Sequence, residues 1–257
     1  LNIVGRGASE YSINRGDWLM DPNLFVPSRR VDVSLKVSKN EVKSLKHWTP
    51  VHFHIGSDHM IARVAVLSGG NIAVGSRGLA QLVLPKDVFV VHGDRFVVRD
   101  QSAKRTIGGG YIIDPRSPKR GRSRSERIKI LNVMQGESTA EILKSIVEVS
   151  DLGVAFNQFL ISHNVPLFKS DNLIASLGLQ RIGKNPHERV FSKKKWGAFL
   201  ERIIKVITEF HLLKPTSVGP SIVEVQLAIF PFVEITIIEV AINALITDKR
   251  LFESGKK

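Results

Sequence analysis

The amino-acid sequence predicts a multidomain protein in which an all-β barrel precedes α+β winged-helix domains. Between residues 24 and 114, apolar residues recur with period two in short runs separated by Gly and Pro, which is typical of an antiparallel barrel. After residue 139 the apolar spacing becomes that of amphipathic helices. A strongly basic segment lies between these halves, so we expect a domain boundary there.

Each strand of the predicted barrel has its own signal. In residues 31–37, aliphatic and polar residues alternate, which indicates a strand with one solvated face. Residues 51–55 alternate in the same way, with His52 and His54 on the polar side. The same pattern predicts further strands at residues 61–67, 80–84, 88–91, 96–98 and 111–113. Two short strands are also expected before the barrel, at residues 1–4 and 18–20.

The second half reads as two helical units. Helices are predicted at residues 139–149, 154–161 and 167–177, followed by a hairpin of residues 179–182 and 189–191. Three helices followed by a basic hairpin is the order of a winged helix. A second unit is predicted to begin with a long helix, residues 193–211, and to continue with helices at 222–229 and 234–247 and a strand at 250–252.

Composition narrows the class of protein. The chain of 257 residues carries a formal net charge of +13, which points to a polyanionic partner such as RNA, DNA or an anionic membrane. There is no cysteine, so disulfides, cysteine-ligated zinc and thiol catalysis are excluded. No apolar run is long enough to span a bilayer, and no signal peptide opens the sequence. Because the first residue is Leu1 inside a strand-like pattern, we expect a piece of a longer protein.

The most distinctive segment is residues 93–115, where a strand leads into a polar turn and then into three consecutive glycines. Glycines in a strand usually mark a bulge or a place where another backbone comes close. Arg99, Lys104 and Arg105 lie beside them, so one interpretation is that the approaching backbone is a phosphodiester. The other is a barrel hairpin in which the glycines only relieve crowding.

The basic segment after the barrel admits three interpretations: solvated disorder, a nuclear-import signal and RNA contact. RNA contact is favoured, because the charges of the barrel and of this segment could form one surface. The expected additional RNA contacts are Arg116, Lys119, Arg120, Arg122 and Arg124. The residues predicted for the first winged helix argue against DNA reading, since helix 167–177 offers few long donors.

Enzymatic and metal sites are not predicted in this chain. No phosphate-binding loop of the form G-x-x-x-x-G-K-[ST] occurs, and no recognisable nucleophile turn is present. His52, His54 and His59 with Asp58 are the only cluster that could suggest a metal. Histidines that flank a core phenylalanine are more often the polar side of a barrel strand, so no metal is expected.

The order of residues around the glycines resembles a known family. The sequence RDQSAKRTIGGG, residues 99–110, is similar to the end of the third domain of Tu-type elongation factors, where an Arg-Thr-x-Gly-x-Gly turn precedes the last strand. With the following Asp-Pro it resembles more specifically the bacterial selenocysteine-specific elongation factors, the SelB type. Residues 47–64, HWTPVHFHIGSDHMIARV, resemble the early part of the same domain, and residues 1–20 the end of the domain before it.

The resemblance implies a domain plan and a function. The implied domains are the end of barrel domain 2 (1–22), a domain-3 β-barrel (23–115), a basic linker (116–127), winged-helix domain 1 (128–192) and a truncated winged-helix domain 2 (193–257). The implied function is delivery of selenocysteinyl-tRNA to the ribosome at recoded UGA codons. The alternatives are a winged-helix regulatory module that binds DNA or RNA, and a ribosome-associated barrel protein without tRNA delivery.

Site residues and partners follow from the same resemblance. In Tu-type factors the third domain holds the backbone of the tRNA T stem, and the match implies that Arg99, Lys104, Arg105, Thr106, Gly108 and Gly110 bind tRNA here. GTP and Mg would belong to a domain upstream of Leu1, so the parent protein is a GTPase and this chain alone is not an enzyme. A selenoprotein mRNA hairpin would be bound by domains after Lys257. We expect a cytoplasmic monomer without membrane contact.

Overall fold

The alternating residues of the first half build a closed antiparallel barrel of six strands. The structure, a computed structural model, describes residues 16–22, 26–229 and 233–252. The strands of the first half are β1 Ser28–Val37, β2 Leu45–Lys46, β3 Thr49–Ile55, β4 Asp58–Val66, β5 Asn71–Ile72, β6 Arg77–Val88, β7 Arg95–Arg99 and β8 Thr106–Asp114. The barrel closes in the order β1-β6-β4-β3-β7-β8, while β2 and β5 pair as a separate ribbon. The predicted barrel is therefore confirmed.

The barrel core follows from the period-two pattern. Val31, Val33, Leu35 and Val37 on β1 are all fully buried, and Phe53 on β3 packs against the ring of Phe96 with centroids 5.5 Å apart. Each such side chain contributes about 1.5–3 kcal/mol through burial. The core therefore fixes which face of each strand points away from it. The solvated face predicted for residues 31–37 is wrong at Asp32 and Ser34, which are fully buried. Asp32 accepts from Arg127 and Gln81, and Ser34 accepts from Arg77.

Some strand boundaries differ from the prediction. The three glycines lie inside β8, which begins at Thr106 and not at Tyr111. Two strands were predicted at residues 80–84 and 88–91, but a single strand, β6, runs from Arg77 to Val88. Residues 89–91 are not a strand. Residues 18–20 are not a strand, although Trp18 packs against the barrel core. The strand predicted at residues 1–4 lies outside the described residues.

The second half is helical with a small sheet. Its elements are α1 Ser125–Val133, α2 Thr139–Val149, β9 Val154–Ala155, α3 Phe156–Ser162, α4 Ser170–Leu177, β10 Gln180–Ile182, β11 Arg189–Phe191, α5 Lys193–Leu213, α6 Ile222–Ile229 and α7 Ile235–Thr247. The sheet has the order β10-β11-β9. Ser138 caps α2 by accepting a hydrogen bond from the amide of Glu141, as expected for a serine at a helix start.

Three details of this half were predicted wrongly. Val154 and Ala155 are a strand, because they pair with β11, and the helix begins only at Phe156. The predicted helix 167–177 opens with a 3₁₀ turn, Leu167–Lys169, before α4. Residues 250–252 are not a strand, because the amides of Arg250 and Leu251 donate to the carbonyl of Leu245 and close the end of α7.

Contacts divide the chain into two compact units. The first runs to Asn132 and includes Ser162–Asn164, and the second holds Val133–Ile161 and the chain from Val165 onward. The apolar core of α5, α6 and α7 centres on Ile203, Ile237 and Ala241, which are all fully buried. Within the described ranges, no helix is both long and apolar enough to cross a membrane.

Candidate nucleic-acid interface

Asp100 organises the turn that joins β7 to β8. One of its carboxylate oxygens, Oδ1, accepts hydrogen bonds from the amides of Lys104 (2.9 Å) and Arg105 (3.1 Å), and the other accepts from the hydroxyl of Ser102 at 3.0 Å. The amide of Asp100 in turn donates to the carbonyl of Arg105. These bonds, first among them the one from the Arg105 amide, lower the pKa of Asp100. The turn is thus held in one shape by an ionised carboxylate inside it.

The cations predicted in the turn differ in their exposure to solvent and in their ion pairs. Lys104 is exposed, and its ammonium forms no ion pair in the described part of the chain. The guanidinium of Arg105 lies 3.5 Å from the carboxylate of Glu41, whose side chain is only 7% exposed. Arg99 is half-buried on β7, and Thr106 is exposed at the start of β8. Lys104 is therefore the turn cation best placed for an external anion.

The three glycines are required by the barrel itself. Each of them lies between a residue of β1 and a residue of β7 in the strand register, so their amides serve the two ladders. A Cβ on Gly109 would lie 2.7 Å from the carbonyl oxygen of Phe96, and one on Gly110 would overlap the carbonyl of Ser34. The backbone that approaches the glycines is thus that of the neighbouring strands. Gly108 and Gly110 can therefore offer a ligand only a surface of backbone without side chains, which we call the glycine floor.

A basic groove lies over this glycine floor, and the sequence did not reveal it. The groove has a volume of about 780 Å³ and includes Gly108, Gly109 and Gly110 in its lining. Its cationic side chains are Lys36, Lys39, Arg77 and Arg95, and no carboxylate of the described residues lines it. These cations come from three strands and one loop, so no local run of charge in the sequence marks them.

The basic segment after β8 is partly attached to the barrel. Arg116 is half-buried, and burial lowers the pKa of its guanidinium. Arg122 lies over the indole ring of Trp48, 5.6 Å from its centroid, and Arg63 lies 5.9 Å from the same ring. The remaining predicted contacts, Lys119, Arg120 and Arg124, are exposed. The segment therefore adds three solvated cations to the barrel, while Arg116 and Arg122 also pack against protein.

A buried ion pair fixes the start of α1 on the barrel. The guanidinium of Arg127 contacts Asp32, which is fully buried, and Asp114, whose Oδ2 is 2.6 Å away. The amide of Gln81 donates to Asp32 at 3.0 Å and to the carbonyl of Pro118 at 3.2 Å. Burial raises the pKa of Asp32, and the charge and hydrogen bonds of Arg127 oppose that rise. Arg127 is thus engaged internally, unlike the exposed cations before it.

The histidines of β3 and β4 face outward, as predicted for the polar side of the barrel. The rings of His54 and His59 stack at a centroid distance of 5.6 Å, and His52 lies 6.4 Å from His54. In the described residues, no group of three or more potential ligands is placed to hold a metal ion. The Nε2 atom of His52 instead lies 3.0 Å from the carbonyl oxygen of Gln101 in the turn.

Comparison with known proteins finds a family model and relatives that are similar to the barrel and the segment after it. Residues 29–119 match the family described as "Selenocysteine-specific elongation factor, beta-barrel domain". The selenocysteine-specific elongation factor of Escherichia coli (strain K12) is 31% identical over 156 residues, which are 60% of this chain and 23% of the relative. That of Desulfomicrobium baculatum is 30% identical over 153 residues, 60% of this chain and 24% of the relative. The chain thus spans about a quarter of the length of these relatives.

A solved structure shares the fold. The crystal structure of bacterial selenocysteine-specific elongation factor EF-Sec aligns with a TM-score of 0.60 at 16% sequence identity, over 91% of this chain and 34% of that one. The alignment extends well beyond the barrel, so the helical half has the same general architecture. The resemblance predicted from the glycine turn is confirmed by the family match of residues 29–119 and by the relatives in sequence.

Proposed function

From the premise that residues 29–119 belong to the barrel family of the SelB-type elongation factors, we propose that this chain is part of a factor that delivers selenocysteinyl-tRNA to the ribosome at recoded UGA codons. The observation that carries the proposal is the family match itself, because it spans the whole turn and the three glycines. Within that function the chain supplies contact with the tRNA backbone and a helical spacer.

The contact we propose is centred on the turn of residues 99–106. Lys104 supplies an exposed positive charge, and Asp100 holds the loop that carries it in one shape. Such contacts fix the position of a nucleic acid without reading its sequence. Lys119, Arg120 and Arg124 extend the positive charge along the same unit. Arg105 contributes less, because Glu41 already neutralises its guanidinium.

The helical half serves as a spacer in this proposal. The order of α2, β9, α3, α4, β10 and β11 is that of a winged helix, and we assign that fold to residues 128–192, with a second such domain at 193–257. Exposed positions of α4 carry Asp171 and Asn172 and no arginine, so the helix is poorly suited to reading a groove. Selection of the selenol, GTP and Mg binding, and binding of the mRNA hairpin are assigned to other domains of a longer protein.

Competition binding tests the proposal. A fluorescent tRNA is bound to the chain and displaced with unlabelled tRNA or with a DNA duplex of mixed sequence at fixed ionic strength, since affinity depends steeply on salt. We expect unlabelled tRNA to displace the label at a concentration about tenfold lower than the DNA requires. Equal displacement by the DNA duplex would favour a general nucleic-acid-binding module and contradict the proposal.

The groove over the glycines is the alternative binding site for the tRNA backbone. Arg95→Gln removes a charge from the groove and Lys104→Gln removes one from the turn, and both side chains are exposed. If the turn is the contact, Lys104→Gln weakens tRNA binding and Arg95→Gln leaves it within about twofold. The reverse result would move the site into the groove.

A further inference from the structure

The outer surface of β3, β4 and β7 carries a cluster of three histidine side chains and one arginine side chain next to the turn. We call it the histidine face: His52, His54, His59 and Arg99. His54 lies directly opposite His59 across the β3–β4 pair, and His52 lies opposite Arg99 across the β3–β7 pair. The face is thus continuous over three strands, and it ends where the turn begins.

The histidine face is connected to the turn by a specific bond. A carbonyl can only accept, so Nε2 of His52 carries the proton that it donates to the carbonyl of Gln101. This bond holds the ring of His52 beside the turn, so any ligand held by the turn lies next to the histidine face.

The cluster is short of hydrogen-bond partners. Three buried side-chain nitrogens of this face lack a hydrogen-bond partner within the described residues: Nδ1 of His52, Nε2 of His54 and Nε of Arg99. Buried polar atoms are normally satisfied, so a concentration of exceptions at one place calls for a functional explanation. Here it shows that nothing within the described residues pairs with these three nitrogens, so the rings and the guanidinium meet an external ligand through their other, accessible atoms.

The carboxylates of β4 and of the turn, Asp58 and Asp100, are already engaged by other groups. Asp58 on β4 accepts from the amide of His59 at 2.7 Å and from the ammonium of Lys86 at 2.8 Å, so its charge is already paired. Asp100 in the turn is engaged by the amides of the turn. Lys104, which is exposed in the same turn, adds to the positive field.

We propose that the histidine face binds a phosphate of the RNA backbone and that RNA binding is coupled to proton uptake by these histidines. The proposal rests on the proposed function, because it names a further part of the same RNA contact. Exposed Ile61 and Val97 flank the rings and give the sugar of the backbone an apolar neighbour. A phosphate beside three rings and a guanidinium stabilises their charged forms, so affinity for RNA rises as the pH falls.

Without RNA, acid acts in the opposite direction, because it lowers the free energy of unfolding that His54 contributes to. Burial, and then the charges of His59, Arg99 and His52, lower the pKa of His54. The folded chain therefore binds fewer protons here than the unfolded chain does. The stability that depends on neutral His54 is present above its ordinary pKa and is lost as the pH falls through the lowered one. RNA affinity and protein stability thus respond to acid in opposite directions, which separates the two effects.

The experiment measures binding of an RNA duplex of about 12 base pairs at constant ionic strength from about pH 8 to about pH 6. The test variant is His54→Gln with His59→Gln, which keeps the His52 tether. The control is His187→Gln, an exposed histidine of the second unit. We expect the affinity of the wild type and of the control to rise about fivefold or more on acidification, and that of the test variant to change less than about twofold.

Each outcome decides something different. Equal pH dependence in the test variant and the wild type would overturn the histidine proposal and leave the proposed function intact. No RNA binding by any protein at any pH would overturn both. If the test variant is unstable, titration of the histidine ring protons of the wild type by NMR with and without the RNA replaces it. We expect their pKa values to rise on binding, and unchanged values would overturn the proposal.

Discussion

The guanidinium of Arg127 donates to the carboxylate of Asp32, although 95 positions separate the two residues in the chain. The contact joins the first turn of α1 to the middle of β1, at the buried end of the basic segment. Asp114, at the end of β8, shares the same guanidinium. The Arg127 guanidinium therefore links β1, β8 and α1. The exposed cations between Pro118 and Arg127 lie on a segment whose two ends are both bonded to the barrel.

Removal of Arg127 tests this role. Arg127→Met leaves Asp32 buried without its cation, so we expect the free energy of unfolding of the barrel to fall by about 3–5 kcal/mol. Urea unfolding measures it. Arg124→Gln, an exposed cation one turn earlier, is the control and should change stability by less than about 0.5 kcal/mol. A loss below about 1 kcal/mol in Arg127→Met would show that the ion pair is not structural.

The glycines of β8 give a second prediction about stability. Gly110→Ala puts a methyl group against the carbonyl of Ser34, and the barrel must open to hold it. We expect a loss of about 1–3 kcal/mol or more, measured by thermal unfolding. Gly197→Ala in α5 is the matched control, since no atom other than those of its chain neighbours and its own helix backbone lies within 4 Å of the added Cβ, and alanine favours a helix. An equal effect of both substitutions would mean that crowding does not explain the glycines.

The turn should lose its order in acid. Hydrogen bonds, first from the amide of Arg105, lower the pKa of Asp100 in the folded chain. Its contribution is therefore complete above the ordinary carboxyl pKa of about 3.9 and is lost as the pH falls through the lowered value. Amide hydrogen exchange at Lys104 and Arg105 measures it. We expect Asp100→Asn to exchange faster at neutral pH, and unchanged exchange would contradict the role of the carboxylate.

Much of the fold could be predicted because the decisive information is local. Alternation in residues 31–37 and 51–55 identified strands whose inner faces are fully buried, and the helical spacing of Ile142, Leu143 and Ile146 identified α2. Local patterns failed where pairing decides the structure. Val154 and Ala155 look helical in sequence but are held as a strand by β11. Arg250 and Leu251 look extended but close the end of α7.

The candidate site was less predictable, because its geometry depends on residues that are far apart in sequence. The turn cations could be identified from the motif, but the pairing of Arg105 with Glu41 could not, since 64 positions separate them. The groove draws Lys36, Arg77 and Arg95 from three strands. Charge pattern along the sequence indicates that a protein binds a polyanion, whereas the location of the contact follows from how the strands are paired.

The salt dependence of tRNA binding in Lys104→Gln tests the central claim most directly. We compare it with the wild type and with Lys144→Gln, which removes an exposed lysine from α2 in the second unit. If Lys104 neutralises a phosphate, its replacement weakens binding and reduces the slope of log affinity against log salt by about 0.7–0.9, while Lys144→Gln behaves as the wild type. Wild-type affinity and slope in Lys104→Gln would contradict the assignment of the tRNA contact to this turn.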